Sequence, residues 1–452
     1  MKKLKNKIIS VLCVALVSSA SCVDLPVKNI LDIKASAIKG DMNSDSKINA
    51  VDLVMMINHL LLVKPEVEFD FSAADINDDG VVNIIDAVML KQKILYDTIE
   101  EVYVSAEYDM VEQNVKYFGR AHYYNEVLWL APSASGVEFE FTGFECSLTL
   151  LGDNIINSEN SRARVGVFVN GELVLDTMID KPEQTFKVFE STEAKSAVVK
   201  VVKFSESANS TFGIKSANVN GTKIKPTSNK ELNIEFIGDS ITCGYGVDTT
   251  RENPFTTSKE NASKTYAYIT AQDLNADYSF VSYSGYGVVS GYTSNGVKNS
   301  TSLVMPYYNK IGNSYGAFNS TLKPNTIEWD FNKKVSDIIV INLGTNDSTY
   351  CKDAEKRLEF EDGYIEMLKK IREYNGTSKI VCTLGIMGAD LYPNVENAVN
   401  RYKTSTADEN VFTMQFEVQQ YNDGYGGDWH PSEITHKKAA EKLTDFLKTI
   451  IN

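Results

Sequence analysis

The sequence predicts three unlike folds in one chain: a small α module, a β-sandwich of jelly-roll type, and an α/β/α domain on a five-stranded parallel sheet. Three observations carry this reading. An Asp- and Asn-rich loop pattern occurs twice near the amino end, short β-rich runs fill the next hundred or so residues, and after residue 231 apolar runs alternate with helical periodicity. The 452 residues leave room for several domains at roughly 100–200 residues each.

The chain opens with Lys2, Lys3, Lys5 and Lys7, then an apolar run over residues 8–17, then Ser18-Ser19-Ala20, small residues suited to cleavage. Residues 1–20 therefore read as a signal peptide. Its apolar run is shorter than the ~20 residues that cross a bilayer, and no later run approaches that length. The mature protein is expected to be secreted, with no membrane attachment. Cys22 follows the cleavage zone, but Ser19 stands where a lipobox prefers Leu, which argues against lipidation. The formal net charge is −15 and grows more negative once the lysine-rich leader is removed. An acidic surface repels phosphate backbones, so nucleic acid is excluded as a partner. Cys146, Cys243, Cys351 and Cys382 are scattered without CxxC pairs, which argues against a disulfide scaffold or structural zinc.

Residues 21–39 read as a linker, and residues 40–97 hold the repeat. Asp41, Asn43, Asp45, Asn49 and Asp52 occupy loop positions 1, 3, 5, 9 and 12, and Asp75, Asn77, Asp79, Asn83 and Asp86 repeat them 34 residues later. Oxygens at these positions let a turning backbone wrap one hard cation. Apolar residues follow each loop at helical spacing: Leu53, Ile57, Leu60 and Leu61, then Val88, Ile94 and Leu95. Lys64-Pro65-Glu66 marks the turn between the halves. The segment resembles a type I dockerin, the duplicated module that plugs enzymes into cohesins of a cellulosome scaffold. That resemblance implies two structural Ca2+ ions, a cohesin partner and an extracellular, cellulosome-associated location. Both loops close with Asp rather than the Glu of an ordinary EF-hand, as in dockerins. Positions 10 and 11 read Ala50-Val51 and Ile84-Ile85 where many dockerins carry Ser-Thr, which leaves the cohesin type open. Ser46 stands at the glycine position that Gly80 fills in the second loop.

From 101 to 225 the runs Val137-Glu-Phe-Glu-Phe141, Ser147-Leu-Thr-Leu150, Arg164-Val-Gly-Val-Phe168 and Ala197-Val-Val-Lys-Val-Val202 are separated by turn signals such as Asn170-Gly171 and Asn220-Gly221, giving the sandwich. Residues 223–230 read as a boundary. In the last domain, 231–452, strands are expected at 233–237, 278–283, 336–343, 380–384 and 411–414, with helices at 266–274, 360–374 and 435–451. Open parallel sheets place their chemistry beyond the carboxyl ends of the strands.

The first strand of that domain runs into Gly238-Asp239-Ser240-Ile241-Thr242, putting a hydroxyl on a glycine-led turn at that edge. A serine hydroxyl is a poor nucleophile until a base takes its proton. The third strand ends in Asn342-Leu343-Gly344-Thr345-Asn346-Asp347, where an amide can donate to a developing oxyanion; Tyr283-Ser284-Gly285-Tyr286-Gly287 follows the second, where a glycine can bring a bare N–H close to a ligand. Of the four histidines, His59 and His122 belong to the earlier domains and His436 to the terminal helix. His430, in the loop Gly427-Asp428-Trp429-His430-Pro431, is the preferred base.

These blocks together resemble the SGNH/GDSL hydrolase superfamily. The resemblance implies Ser240 as nucleophile, His430 as general base, and an oxyanion hole made of the Ser240 and Gly285 N–H groups with the Asn346 side chain, Gly287 being the fallback donor. Phe118-Gly119-Arg120, Trp129-Leu130, the run 238–246, Met305-Pro306, Trp329-Asp330-Phe331 and Asp428-Trp429-His430-Pro431 are similar to carbohydrate esterase family 2. That likeness implies removal of O-acetyl groups from plant polysaccharides such as xylan and glucomannan, with no catalytic cofactor. Many SGNH enzymes carry an Asp three residues before the histidine, whereas here Gly427 fills that place and Asp428 stands two before. The expectation is a Ser–His dyad whose ring is oriented by a backbone carbonyl, with Asp428 as candidate third member. Trp429 and Tyr245 are candidate sugar-binding aromatics. A non-catalytic polysaccharide-binding subunit is the alternative, and a lipase of the same superfamily is another, although the chain has no long apolar lid.

Overall fold

A computed structural model describes residues 38–63, 70–96 and 103–451. The expected signal peptide, Cys22, nearly all of the linker and the Lys64-Pro65-Glu66 turn lie outside the described residues. The chain divides into two compact units, Met1–Val102 and Tyr103–Asn452.

In the first unit each acidic loop feeds a helix: α1 (Ala50–Leu60) and α3 (Ile84–Tyr96), with a single turn, α2 (Phe71–Ala74), between them. The loops start the helices. Asn49 accepts the Val51 N–H at the head of α1 and Asn83 accepts the Ile85 N–H at the head of α3, each at 2.8 Å, satisfying donors that a helix leaves orphaned. The core between them is Met42, Met55, Met56, Ala73, Ala74, Ile76, Ala87, Met89 and Leu90. Four of the seven apolar residues read from the sequence point elsewhere: Ile57, Leu61, Val88 and Leu95 are exposed, while Leu53, Leu60 and Ile94 are partly buried. Each helix carries apolar residues on two faces, and flexible methionines fill the inner one.

The second unit begins with β1 (Val104–Asp109), β2 (Lys116–Phe118), β3 (Ala121–Tyr124), β4 (Val127–Leu130), β5 (Gly136–Gly152), β6 (Arg164–Val169), β7 (Glu172–Met178), β8 (Glu183–Lys203), β9 (Phe212–Gly221) and β10 (Lys225–Pro226). All ten belong to one antiparallel sheet, not two separately bonded ones. The long β5 is the reason. It pairs with β8 along nearly its whole length; on its other side it pairs first with β2 and β10, then from Gly143 with β9. Register breaks near Gly143 and Cys146 bend the strand, and the sheet curls around Leu128, Phe139, Leu148, Val167, Val201 and Ile214.

The parallel sheet that follows has β11 (Asn233–Gly238), β12 (Asp277–Ser282), β13 (Ile338–Asn342), β14 (Lys379–Leu384) and β15 (Val411–Gln415), in the order β12-β11-β13-β14-β15. The five-stranded parallel sheet expected from the sequence is thus present. β11, β12 and β13 are buried at every position because helices cover both faces. After the single turn α4 (Ser240–Cys243), α5 (Tyr266–Asp273) and α8 (Glu433–Ile451) pack on the face of Phe236 and Phe280; α6 (Ala354–Tyr374) and α7 (Tyr392–Thr406) pack on the face of Ile339 and Ile341. The sequence reading did not include α7. Its signal was present in Pro393 within the first turn and in Val395, Ala398, Val399 and Tyr402 at helical spacing. Both parts of this unit share buried ion pairs: Arg120 with Glu235 at 3.0 Å and Lys116 with Asp277 at 2.5 Å.

Candidate active site

The order of the parallel sheet reverses direction at β11, between β12 and β13, and the loops after these three strands converge there. The turn after β11 requires glycine at 238, where a Cβ would stand 2.1 Å from Thr242 Oγ1. Asp239 caps α4 by accepting the Ile241 N–H at 3.0 Å, so Ser240 is the first residue of that turn, with its hydroxyl facing the base. The base arrives on the last loop through close backbone contact. Gly427 N–H donates to Gly246 O at 2.9 Å, and a side chain on Gly426 would strike that same oxygen.

His430 Nε2 lies 2.9 Å from Ser240 Oγ, and its Nδ1 lies 3.1 Å from Gly427 O and 3.2 Å from Asp428 O. Carbonyls only accept, so Nδ1 carries the proton and Nε2 presents its lone pair to the serine O–H. The Asp428 carboxylate takes no part in orienting the ring; it accepts the Tyr245 O–H at 2.7 Å. Asp428 and Trp429 both adopt left-handed backbone, with φ of 51° and 66°, which turns the Asp428 carbonyl toward the imidazole. Tyr245 stacks on His430 at 4.1 Å and is backed by Phe255 at 4.0 Å. Burial holds the His430 imidazole down at about 4, even though its carbonyl partners and the nearby Asp428 charge favour the protonated ring. His436 is elsewhere, buried in α8 and accepting the Tyr266 N–H.

The expected oxyanion donors gather at the same edge. Gly285 has a φ of 81° and open space where a side chain would sit. Gly287 N–H is spent on Ser302 O at 3.0 Å, which leaves Gly285 as the glycine donor at this turn. Asn346 Nδ2 donates to Tyr286 O at 2.8 Å, with Asp239 Oδ2 at 3.4 Å on its other side. Trp429 stands 55% exposed beside the base, with the Arg251 guanidinium 4.6 Å from its ring.

Two buried carboxylates that the sequence reading passed over hold this edge together. Asp347 accepts the N–H groups of Val288, Val289 and Ser290 at 2.8–3.0 Å, clamping the loop after Gly285. Glu206, from the β8–β9 connection, accepts the Ser284 N–H at 2.8 Å and faces Cys243 Sγ at 3.6 Å, so the curled β-domain braces both the glycine turn and α4. Glu206 lies in no motif, whereas Asp347 closes the block that carries Asn346, and that adjacency was the available signal.

In the first unit the two loops have the same internal geometry. Asp41 accepts from Asp45 and Ser46 N–H as Asp75 does from Asp79 and Gly80 N–H, and Ser46 adopts the left-handed φ of 67° that the turn demands. Asp52 and Asp86 are fully buried and meet backbone N–H groups, not basic side chains. Buried carboxylates with no cationic side chain beside them among the described residues, ringed by Asn43, Asp45, Asn49 and their repeats, are a donor set that fits a hard cation. Among the described residues no helix is long and apolar enough to cross a membrane.

A Ser–His pair at the carboxyl edge of a five-stranded parallel sheet, abutting a curled β-domain, defines a hydrolase fold of the SGNH/GDSL type. Residues 234–443 match the family model of the GDSL-like Lipase/Acylhydrolase, residues 117–227 that of the Carbohydrate esterase 2 N-terminal domain, and residues 39–95 that of the Dockerin type I domain. The chain thus carries, in order, a type I dockerin domain, a carbohydrate esterase 2 N-terminal domain and a GDSL-like lipase/acylhydrolase domain. It is 38% identical over 224 residues to the Cellulase/esterase CelE of Acetivibrio thermocellus, a match covering 48% of this chain but only 25% of that protein's length. An Acetylxylan esterase / glucomannan deacetylase of Cellvibrio japonicus is 21% identical across 75% of this chain and 90% of its own. Among solved structures, a family two carbohydrate esterase from Clostridium thermocellum, an active-site mutant, aligns with a TM-score of 0.65 at 29% identity, covering 75% of this chain and 99% of that one. An acetyl xylan esterase from the rumen bacterium Butyrivibrio proteoclasticus shares the fold, with a TM-score of 0.70 at 24% identity over 77% and 99% of the two chains.

Proposed function

We propose that this protein is a secreted carbohydrate esterase that removes O-acetyl groups from plant polysaccharides, xylan and glucomannan among them, while held in a cellulosome by its dockerin. The observation that carries the chemistry is the 2.9 Å contact between His430 Nε2 and Ser240 Oγ, with Nδ1 held by carbonyls. Ser240 Oγ attacks the acetyl carbonyl while His430 takes its proton, and the oxyanion is met by the Ser240 and Gly285 N–H groups and Asn346 Nδ2. The tetrahedral intermediate collapses by expelling the sugar alkoxide, which receives the proton from His430. Water, deprotonated in turn by His430, then attacks the acetyl-enzyme and releases acetate with Ser240 restored. Trp429 and Tyr245 flank the base and suit the sugar that bears the ester. Asp428 acts through Tyr245 and through its own carbonyl, as part of a dyad rather than as a triad acid.

The curled ten-stranded sheet is read as a jelly roll. Two Ca2+ ions would be held by Asp41, Asn43, Asp45, Asn49 and Asp52 and by Asp75, Asn77, Asp79, Asn83 and Asp86, fixing the helices that meet a cohesin. When bound, the ions supply structural cross-links and no chemistry. The test is acetate release from acetylated xylan and glucomannan by the wild type and by Ser240→Ala. Release by the wild type and none by the variant is expected; unchanged turnover in Ser240→Ala removes the nucleophile. Retention on insoluble glycan with no acetate release would instead favour a binding subunit.

A further inference from the structure

No carboxylate reaches the ring of the base, and a column of aromatic rings lies against it instead. His430 Nδ1 meets two neutral carbonyls, and such bonds are roughly half as strong as the charge-assisted one that a triad aspartate supplies. Tyr245 lies on the imidazole with centroids 4.1 Å apart and planes 27° from parallel, and Phe255 lies on Tyr245 at 4.0 Å and 13°. Two rings that close cannot share one face, so Tyr245 is sandwiched between Phe255 and the base. The Tyr245 O–H, donated to the Asp428 carboxylate at 2.7 Å, also pins the residue whose carbonyl lies beside Nδ1.

Phe255 is carried by a loop that the β-domain fixes. Asp248 N–H donates to Lys259 O at 3.2 Å and closes the neck of residues 248–259. Arg164 of β6 pairs with Asp248 at 2.7 Å, and Thr257 donates its N–H to Asn160 O at 3.1 Å and its hydroxyl to Arg162 O at 2.7 Å. The same loop runs along the histidine loop: Arg251 covers Trp429 at 4.6 Å, and a Cβ at Gly427 would stand 3.1 Å from Thr249 Cγ2. Phe255 is thus the fixed end of the column.

We propose that Phe255 is a positioning residue for the base: acting through Tyr245, it keeps the His430 imidazole turned toward Ser240 Oγ and shielded from water, the task that a triad carboxylate performs by charge. The inference rests on the Ser240–His430 reading above and deepens it, because it assigns the hold on the base to packing.

The titratable groups against the ring are Asp428 on its own loop, Ser240 and Tyr245 at α4, and His436 on α8. Farther out, Glu206 and Glu260 bear on Tyr245, and Arg251 on Trp429. The Asp428 charge favours the protonated ring, burial opposes it, and burial prevails, holding His430 down at about 4. His436 is itself held down at about 3 by burial, and burial together with Asp428 pushes the Tyr245 hydroxyl up, so both are neutral where the enzyme works. Opening the column to water should therefore let the ring take up a proton at higher pH.

The test is NMR titration of the histidine ring carbons in the full-length protein, which has only four histidines, beside the pH dependence of nitrophenyl acetate turnover. His430→Ala assigns the signal. In Phe255→Ala the midpoint of the His430 ring and the acid limb of kcat/KM should rise together by about one pH unit or more toward the 6.5 of a free imidazole, and kcat at neutral pH should fall about 10-fold with KM little changed. Phe255→Leu, which keeps apolar bulk without a ring, should shift the same way by less, and Phe255→Tyr should match the wild type. Unchanged signals from His59, His122 and His436 are the check on folding. A His430 midpoint unmoved in both Phe255→Ala and Phe255→Leu, or moved as far by Phe255→Tyr as by Phe255→Ala, would overturn the proposal. Absence of turnover in the wild type would instead strike the esterase reading, and the ring titration would still decide what Phe255 does.

Discussion

At the residue scale the base is the most informative group, because its ring is held by two carbonyls and not by a carboxylate. Replacing a true triad aspartate by asparagine costs about 10⁴ in turnover because the histidine loses its tautomer. Asp428→Asn, which keeps the backbone and tolerates a left-handed φ, should cost less than about 10-fold in kcat; a loss near 10⁴ would mean that the carboxylate reaches the ring in the working enzyme. In the proposed mechanism the neutral imidazole is the active form, and burial holds the His430 ring down at about 4. Activity is thus present above that value and lost as pH falls through it, so kcat/KM should hold down to about pH 5 with an acid limb well below the 6.5 of an unperturbed histidine. An acid limb at 6 or above would show the ring to be solvated. Asn346→Ala should lower kcat by about 10²–10³ with little change in KM, the loss of one preorganised donor. The placement of Ser240, His430, Asn346 and Gly285 at one edge was legible in the chain, since each follows a strand on the side where such sheets gather their loops. The partner of the Asp428 carboxylate was not, because Tyr245 lies 183 residues away in sequence.

At the scale of elements, the oxyanion edge is a set of loops held by buried acids. Asp347→Ala would leave the N–H groups of Val288, Val289 and Ser290 without their acceptor, at about 1–3 kcal/mol for each that stays unsatisfied. Urea unfolding should show a loss of about 3 kcal/mol or more, with kcat falling as the Gly285 turn loosens; unchanged stability would place those N–H groups in contact with water. These clamps escaped the sequence reading because a carboxylate bonded to backbone carries no motif, only a position in space. Helix α7 escaped for a different reason. Its polar residues lower the local hydropathy, so Val395, Ala398, Val399 and Tyr402 stand out only when counted at a period of 3.6. In the dockerin the loop pattern was plain, but which apolar face of α1 and α3 turns inward depends on where the two helices meet, and Ile57, Leu61, Val88 and Leu95 were left outside.

At the scale of the whole molecule, the two compact units predict separable behaviour. Chelation of Ca2+ should abolish cohesin binding in a pull-down and unfold the first unit, while turnover of nitrophenyl acetate by the same sample stays within experimental error. Loss of both together would tie catalysis to the metal. The β-domain and the parallel-sheet domain form one unit instead: Arg120 pairs with Glu235, Lys116 with Asp277, and Glu206 reaches the Ser284 N–H. Removing residues 103–230 would strip Glu235 and Asp277 of their cations and the Ser284 N–H of its acceptor, so the remaining domain should be insoluble or inactive even though it retains Ser240 and His430. Local periodicity and turn chemistry are properties of neighbours, so two acidic loops, five strands and the residue types at the strand ends could be read along the chain. Only the tertiary structure decided which groups meet, since a hydrogen bond between Glu206 and Ser284 or between Asp428 and Tyr245 depends on distances that folding creates between remote segments, and no local pattern encodes them.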